Sequence, residues 1–176
     1  MFESLNQLTE QMILDHMNAP LCNLHTAFNN PGFIYDTWQS HNGKRIMIGY
    51  EKNIGQNVYV SGTCKMKLTS GEEVYCIFVD ANFMLLNKEE QLVMFYHEMG
   101  HIINDHLDKS CKLVLSSLAR YFGYGCMEFE ADKYAAKKTS VDQVVDTLTH
   151  VAVMIPFVSK RDVESRVKKL VKTKLR

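Results

Sequence analysis

Between Asn87 and Asn104 the chain is apolar at helical spacing on nearly every side, yet His97, Glu98 and His101 sit in the middle of it. That conflict constrains the fold more than any other feature. Leu92, Phe95, Met99 and Ile102 form one stripe, which Val93, Met94 and Ile103 extend most of the way round. A helix of that kind is surrounded by other elements rather than laid on a surface. Asn87 with Glu90 three residues on predicts a capping-box start, and the helix is expected over 87–106. Ionisable side chains inside a buried helix are costly unless they are paired or bound to a metal ion.

The remaining sequence supplies what surrounds it. Phe2, Leu5, Leu8, Met12 and Ile13 predict a helix over 2–18 within a helical lead spanning 1–30. Asn, Gly, Ser and His from Asn29 to Gly43 read as a loop. Residues 44–80 predict a small, mainly antiparallel sheet of three or four strands: Arg45–Ile48, Val58–Val60, Cys64–Leu68 and Val74–Val79. The last two, joined across Thr69-Ser70-Gly71-Glu72, form a hairpin. A helix is expected over Ser110–Phe122, closed by Gly123 and Gly125, and a separate one over 126–138. Ser140 caps the next, which Pro156 ends, and Ser159 caps a basic last helix. The pattern is α+β in one domain, 1–176, with no repeat or linker to divide it.

Composition narrows the function class. The chain is 46% apolar and 23% charged with zero formal net charge, so it has no overall electrostatic bias toward nucleic acid or anionic lipid. The last 17 residues are an exception, with eight Lys and Arg against two acids. Their apolar stripe, Val163, Val167, Leu170 and Val171, reads as a packed helix with a solvated basic face rather than a nucleic-acid grip. No stretch approaches the roughly 20 apolar residues of a membrane span. The start lacks a basic, then apolar, signal pattern. Cys22, Cys64, Cys76, Cys111 and Cys126 are an odd set without a Cys-x-x-Cys pair, and read as reduced, mostly buried thiols. Cytoplasmic residence is the expectation, and the sequence says nothing of oligomeric state.

His97 and His101, four apart on a helix, can direct two imidazoles at one ion, with Glu98 one step round and free to reach a water. A catalytic zinc takes three protein ligands and leaves a position for water. A third histidine would need Gly at 104 and His at 107; the chain has Asn104 and Leu107. His106 then reads as a helix-end residue or a partner of a ligand. Glu128, in Glu128-Phe129-Glu130-Ala131-Asp132, is the better third ligand, because Asp132 shares its face and can accept the free N–H of a ligand histidine. Glu130 reads as a solvated or structural carboxylate.

These stretches resemble gluzincin peptidases, most closely the family of CAAX prenyl proteases and bacterial heat-shock membrane proteases. His97-Glu98-Met99-Gly100-His101 with His106 five places on, and Glu128 to Ala135, carry the resemblance. Arg166-Val167-x-x-Leu170 is similar to a further family helix. The ImmA/IrrE regulatory peptidases share a similar arrangement. Unlike many of these relatives, the chain has no membrane-spanning segment, and the His-Pro step that often precedes the Arg-containing helix is missing. The resemblance implies a zincin-like fold with Zn2+ held by His97, His101 and Glu128, Glu98 as base and Asp132 behind a ligand. It also implies that residues 74–79 pair with an extended substrate.

The expected chemistry is hydrolysis of a peptide bond in a protein or peptide substrate by a metal-activated water. Glu98 would act as general base, and an oxyanion donor would come from among Tyr134, His106, Tyr121, Tyr124 and His150. The alternative is a zincin-fold regulatory or binding protein with little or no turnover.

Overall fold

Alternation and β-branching in the first half of the chain produce a four-stranded mixed sheet. The computed structural model describes residues 35–39, 45–50, 60–67, 71, 73–79, 82–107, 117–155 and 158–174. The strands are β1 (Tyr35–Gln39), β2 (Arg45–Tyr50), β3 (Ser61–Lys67) and β4 (Glu73–Val79), in the order β1-β2-β4-β3. β1 and β2 are antiparallel, with Gln39 opposite Arg45. β3 and β4 form the expected hairpin, with Lys67 opposite Glu73. β2 and β4 run parallel, Ile46 opposite Tyr75.

Three strand expectations change. β1 lies inside the stretch read as a loop, because the breakers flanking Tyr35-Asp36-Thr37-Trp38-Gln39 masked a short run of β-forming residues. β3 starts at Ser61 rather than Cys64. β4 is internal, bonded to β2 on one side and β3 on the other. Its backbone groups are therefore spent, and residues 74–79 cannot pair with a substrate; among the described strands the edges are β1 and β3. Val58, Tyr59 and the expected helix over 2–18 lie outside the described residues.

Among the described residues, the helices after a 3-10 turn at Phe83–Leu85 include α1 (Lys88–Ile103), α2 (Ser117–Lys138), α3 (Val141–Met154) and α4 (Lys160–Lys174). α1 opens with the predicted capping box: the Asn87 side chain accepts from the Glu90 N–H, and the Glu90 carboxylate accepts from the Asn87 N–H. Ser140 caps α3 by accepting from the Gln143 N–H. Ser159 starts α4 by accepting from the Asp162 N–H. α2, in contrast, runs straight through Gly123 and Gly125. Each glycine weakens a helix by only about 1 kcal/mol, and the packing of Ala131 and Ala135 against α1 outweighs that.

The core lies between one face of the sheet and the helices. Ile46, Tyr75 and Ile77 meet Val93, Phe95, Tyr96, Met99 and Ile102 of α1, with Ala135, Val144, Leu148, Val163 and Leu170 from the other helices. A second apolar group joins Val60 and Val79 to Phe83, Leu86, Val151 and Ile155. α1 and α2 approach closely at Gly100, where a Cβ would lie 2.8 Å from the Ala131 Cα and 3.0 Å from its carbonyl oxygen. No described helix is long and apolar enough to cross a membrane.

Candidate metal centre

The close crossing of α1 and α2 brings the two halves of the site together. His97 and His101 project from adjacent turns of α1, and Glu128 faces them from α2. The two histidine Nε2 atoms are 3.2 Å apart. The Glu128 oxygens lie 3.3 Å from the His97 Nε2 and 3.4 Å from that of His101. Donors held at about 2.0–2.1 Å from a tetrahedral zinc stand about 3.3–3.4 Å from one another. The three side chains therefore fit a metal ion, and they are a group of the right kind and spacing among the described residues.

Each histidine is oriented from behind. The His97 Nδ1 is 2.9 Å from the Asp132 Oδ1. Asp132, fully buried, is in turn gripped by Arg166 of α4, whose Nε and Nη2 donate at 2.7 and 2.6 Å. Arg166 also reaches Glu128, with its Nη1 3.3 Å from Oε2. His101 Nδ1 meets His106 Nδ1 at 3.0 Å, and His106 Nε2 meets Glu130 Oε2 at 2.9 Å. Asp132 and His106 thus stand where the sequence suggested. Of the two readings of Glu130, solvated or structural, the second describes it: half-exposed as it is, it is the partner of His106.

Charge is distributed unevenly over this cluster. Burial presses the His97 imidazolium toward deprotonation, but Asp132 and Glu128 outweigh it and lift its pKa to about 10. Burial, with the charge of His97 beside it, drops His101 to about 3. For Glu128, burial works against the charged form, yet His97 and then Arg166 hold it well below the usual carboxylate range. Asp132 is likewise lowered against burial, by Arg166 first and then His97.

Glu98 points to a different set of partners. Its Oε1 accepts from the Ser61 hydroxyl at 2.8 Å and its Oε2 from the Thr63 hydroxyl at 2.6 Å. Ser61 and Thr63 alternate on β3 and oppose Val79 and Ile77, so they share the sheet face that packs on α1. Burial raises the Glu98 pKa, while His97 and the two hydroxyls pull it down. Sequence reasoning missed Ser61 and Thr63. The available signal was a pair of hydroxyl residues two apart on a strand, which says nothing about a helix some 35 residues away until the sheet is assembled.

A cavity of about 550 Å³ opens onto the cluster. Its lining combines the polar His97, Glu98, His101 and Glu128 with apolar side chains such as Leu148 and Ile155. His106 and Arg166 also line it. Of the suggested oxyanion donors, Tyr134 is not in the lining; it lies half-buried at the Gly100 crossing. His150 pairs with Glu90 at the start of α1, 2.6 Å away. The side chains of Tyr121 and Tyr124 lie outside the described residues. Three thiols are free among the described residues: Cys76 is buried and Cys64 half-buried as expected, whereas Cys126 is exposed. The chain matches no family model, no curated protein and no solved structure.

Proposed function

We propose that this protein is a zinc-dependent peptidase of zincin-like fold, with His97, His101 and Glu128 as metal ligands and Glu98 as general base. One observation carries the reading: three donors at tetrahedral spacing from two helices, next to a buried carboxylate that is not one of them. A site built only for stability closes all four positions around zinc and has no use for such a carboxylate. When bound, zinc would lower the pKa of a water toward about 7 and polarise the scissile carbonyl.

The chain's own residues supply the rest. Ser61 and Thr63 hold the Glu98 carboxylate from the strand side, fixing the base in one rotamer. Glu98 takes a proton from the attacking water and returns it to the departing amine. Arg166 and Asp132 hold His97, so its ring cannot swing out of the cluster. Arg166, at the cavity wall, is a cation within reach of developing negative charge, and replaces Tyr134 and His150 as the nearest donor to consider. Among the described strands β3 is an edge, and its Ser61, Gly62 and Thr63 line this cleft, where an extended peptide can add to the sheet.

A second reading, a regulatory or binding protein without turnover, draws on the same hydroxyls: both Glu98 oxygens already have donors. Glu98→Gln separates the two. The amide is nearly isosteric and leaves the ligands in place, so zinc content should be unchanged while cleavage of a peptide library falls by about 10²–10⁴-fold. Equal cleavage by the variant removes Glu98 as the base. No cleavage by zinc-loaded wild type favours the second reading.

A further inference from the structure

His106 and Glu130 form a chain that ends on His101, and the chain admits few proton arrangements. Glu130 Oε2 faces His106 Nε2 at 2.9 Å, and His106 Nδ1 faces His101 Nδ1 at 3.0 Å. The remaining nitrogen of His101, Nε2, faces the cluster. Glu130 can only accept, so His106 Nε2 carries a proton. Between the two Nδ1 atoms, one must donate and the other accept. If His106 donated there as well, it would be a cation in a position only 2% exposed. If His101 donates, each nitrogen of His106 has a partner with a single proton on its ring, and the His101 Nε2 lone pair faces the cluster, 3.2 Å from the His97 Nε2.

Local structure supports a built arrangement. α1 ends at Asn104, which stacks two hydrogen bonds on the Gly100 carbonyl, from its backbone N–H at 3.1 Å and its side-chain amide at 2.8 Å. Asp105 then adopts a left-handed backbone, φ 57°, which Asp tolerates better than most residues. That reversal turns the chain back, so His106 reaches a ring five residues earlier, their centroids 5.0 Å apart and their planes at 74°.

We propose that His106 is a positioning residue: seated by Glu130, it accepts the His101 Nδ1–H and so fixes the tautomer that frees Nε2 for a metal ion. It does for His101 what Asp132 and Arg166 do for His97, with a neutral imidazole in place of a carboxylate. The site is thus asymmetric, one ligand held directly by a carboxylate and the other by an imidazole that passes the contact on to Glu130 at the surface. The proposal rests on His101 being a metal ligand, but the proton arrangement belongs to the protein itself.

Two measurements test it separately. In the full-length protein without metal, long-range proton–nitrogen correlation spectra of the imidazoles should show His101 protonated on Nδ1 and His106 on Nε2 only. A His101 protonated on Nε2, or a doubly protonated His106, overturns the proposal whatever the metal affinity. Competition with a chromophoric chelator then reads zinc binding. His106→Ala should weaken it by about 10–100-fold. His106→Asn, whose amide oxygen sits near the lost Nδ1, should restore most of it. Glu130→Ala, at an exposed position that does not threaten folding, should weaken binding in the same direction by less. Wild-type affinity in both alanine variants overturns the positioning role. If wild type binds no zinc yet shows the stated tautomers, the metal reading falls and the relay stands.

Discussion

Gly100 offers a direct handle on how packing sets the candidate metal site. A Cβ at this position would lie 2.8 Å from the Ala131 Cα, 3.0 Å from the Ala131 oxygen and 3.1 Å from the Tyr134 Cβ. Carbon atoms prefer about 3.5–4.0 Å, and two of these three neighbours are backbone, which no rotamer change can move. Gly100→Ala must therefore push α2 from α1 by about 0.7 Å. Helix propensity returns about 1 kcal/mol, against about 1–3 kcal/mol for overpacking, so the net loss of stability should be about 0–2 kcal/mol. The metal site should suffer more. His97 and His101 are both on α1, so their 3.2 Å separation stays fixed. The 3.3 and 3.4 Å separations to Glu128 must lengthen, in a site whose distances tolerate about 0.2 Å. Urea unfolding of the metal-free protein should show the small loss. Chelator competition should show zinc affinity down by about 10-fold or more, a ligand displacement costing at least as much as a lost supporting contact. A Gly100→Ala protein with wild-type zinc affinity would refute the idea that this crossing sets the ligand spacing.

Other consequences are as specific. Arg166→Ala leaves the buried Asp132 without its main partner and should cost about 3–5 kcal/mol in urea unfolding; a loss under about 1 kcal/mol would contradict the pairing. Because Asp132 is held below its ordinary value of about 3.9, its contribution is present above that pH and is lost as pH falls through the folded value. The metal-free wild type should therefore lose stability on acidification toward about pH 3 more steeply than Arg166→Ala. Thr63→Val removes a donor that lowers the Glu98 pKa, so the acidic limb of the pH–rate profile should move up; an unmoved or lowered limb would count against Glu98 as the base. Cys64 and Cys76 face each other across the β3–β4 ladder. A hydrogen bond from Cys76 outweighs burial and lowers Cys64 to about 7, while the same pairing and burial raise Cys76. Alkylation of Cys64 should be half-maximal near pH 7 and Cys76 should resist; equal rates at the two thiols would refute that division.

What the sequence discloses is mostly local. The Asn87–Glu90 box, the Ser140 cap and the i, i+4 histidines act over three or four residues, so their spacing alone places them. His97, His101, Glu128 and Asp132 could be joined because each motif is helical and its face is computable. Non-local pairing escapes such reading. The parallel β2–β4 ladder and the internal position of β4 depend on strand order, which alternation does not encode, and so the strand that the resemblance assigned to substrate pairing is not an edge. Gly123 and Gly125 look like stops because propensity counts them alone, whereas α2 is stabilised by α1 and continues. Ser61, Thr63 and Glu130 reach the site through tertiary packing, and nothing in their immediate neighbours distinguishes them from other surface polar residues.

His97, His101 and Glu128 are proposed to hold one zinc ion beside Glu98. Anomalous diffraction at the zinc edge from crystals grown with one equivalent of metal tests it most directly. A single peak is expected about 2.0–2.2 Å from His97 Nε2, His101 Nε2 and a Glu128 oxygen, with its open position toward the cavity and Glu98. A peak elsewhere, for example on the Cys64–Cys76 pair, or no peak between α1 and α2, would contradict it.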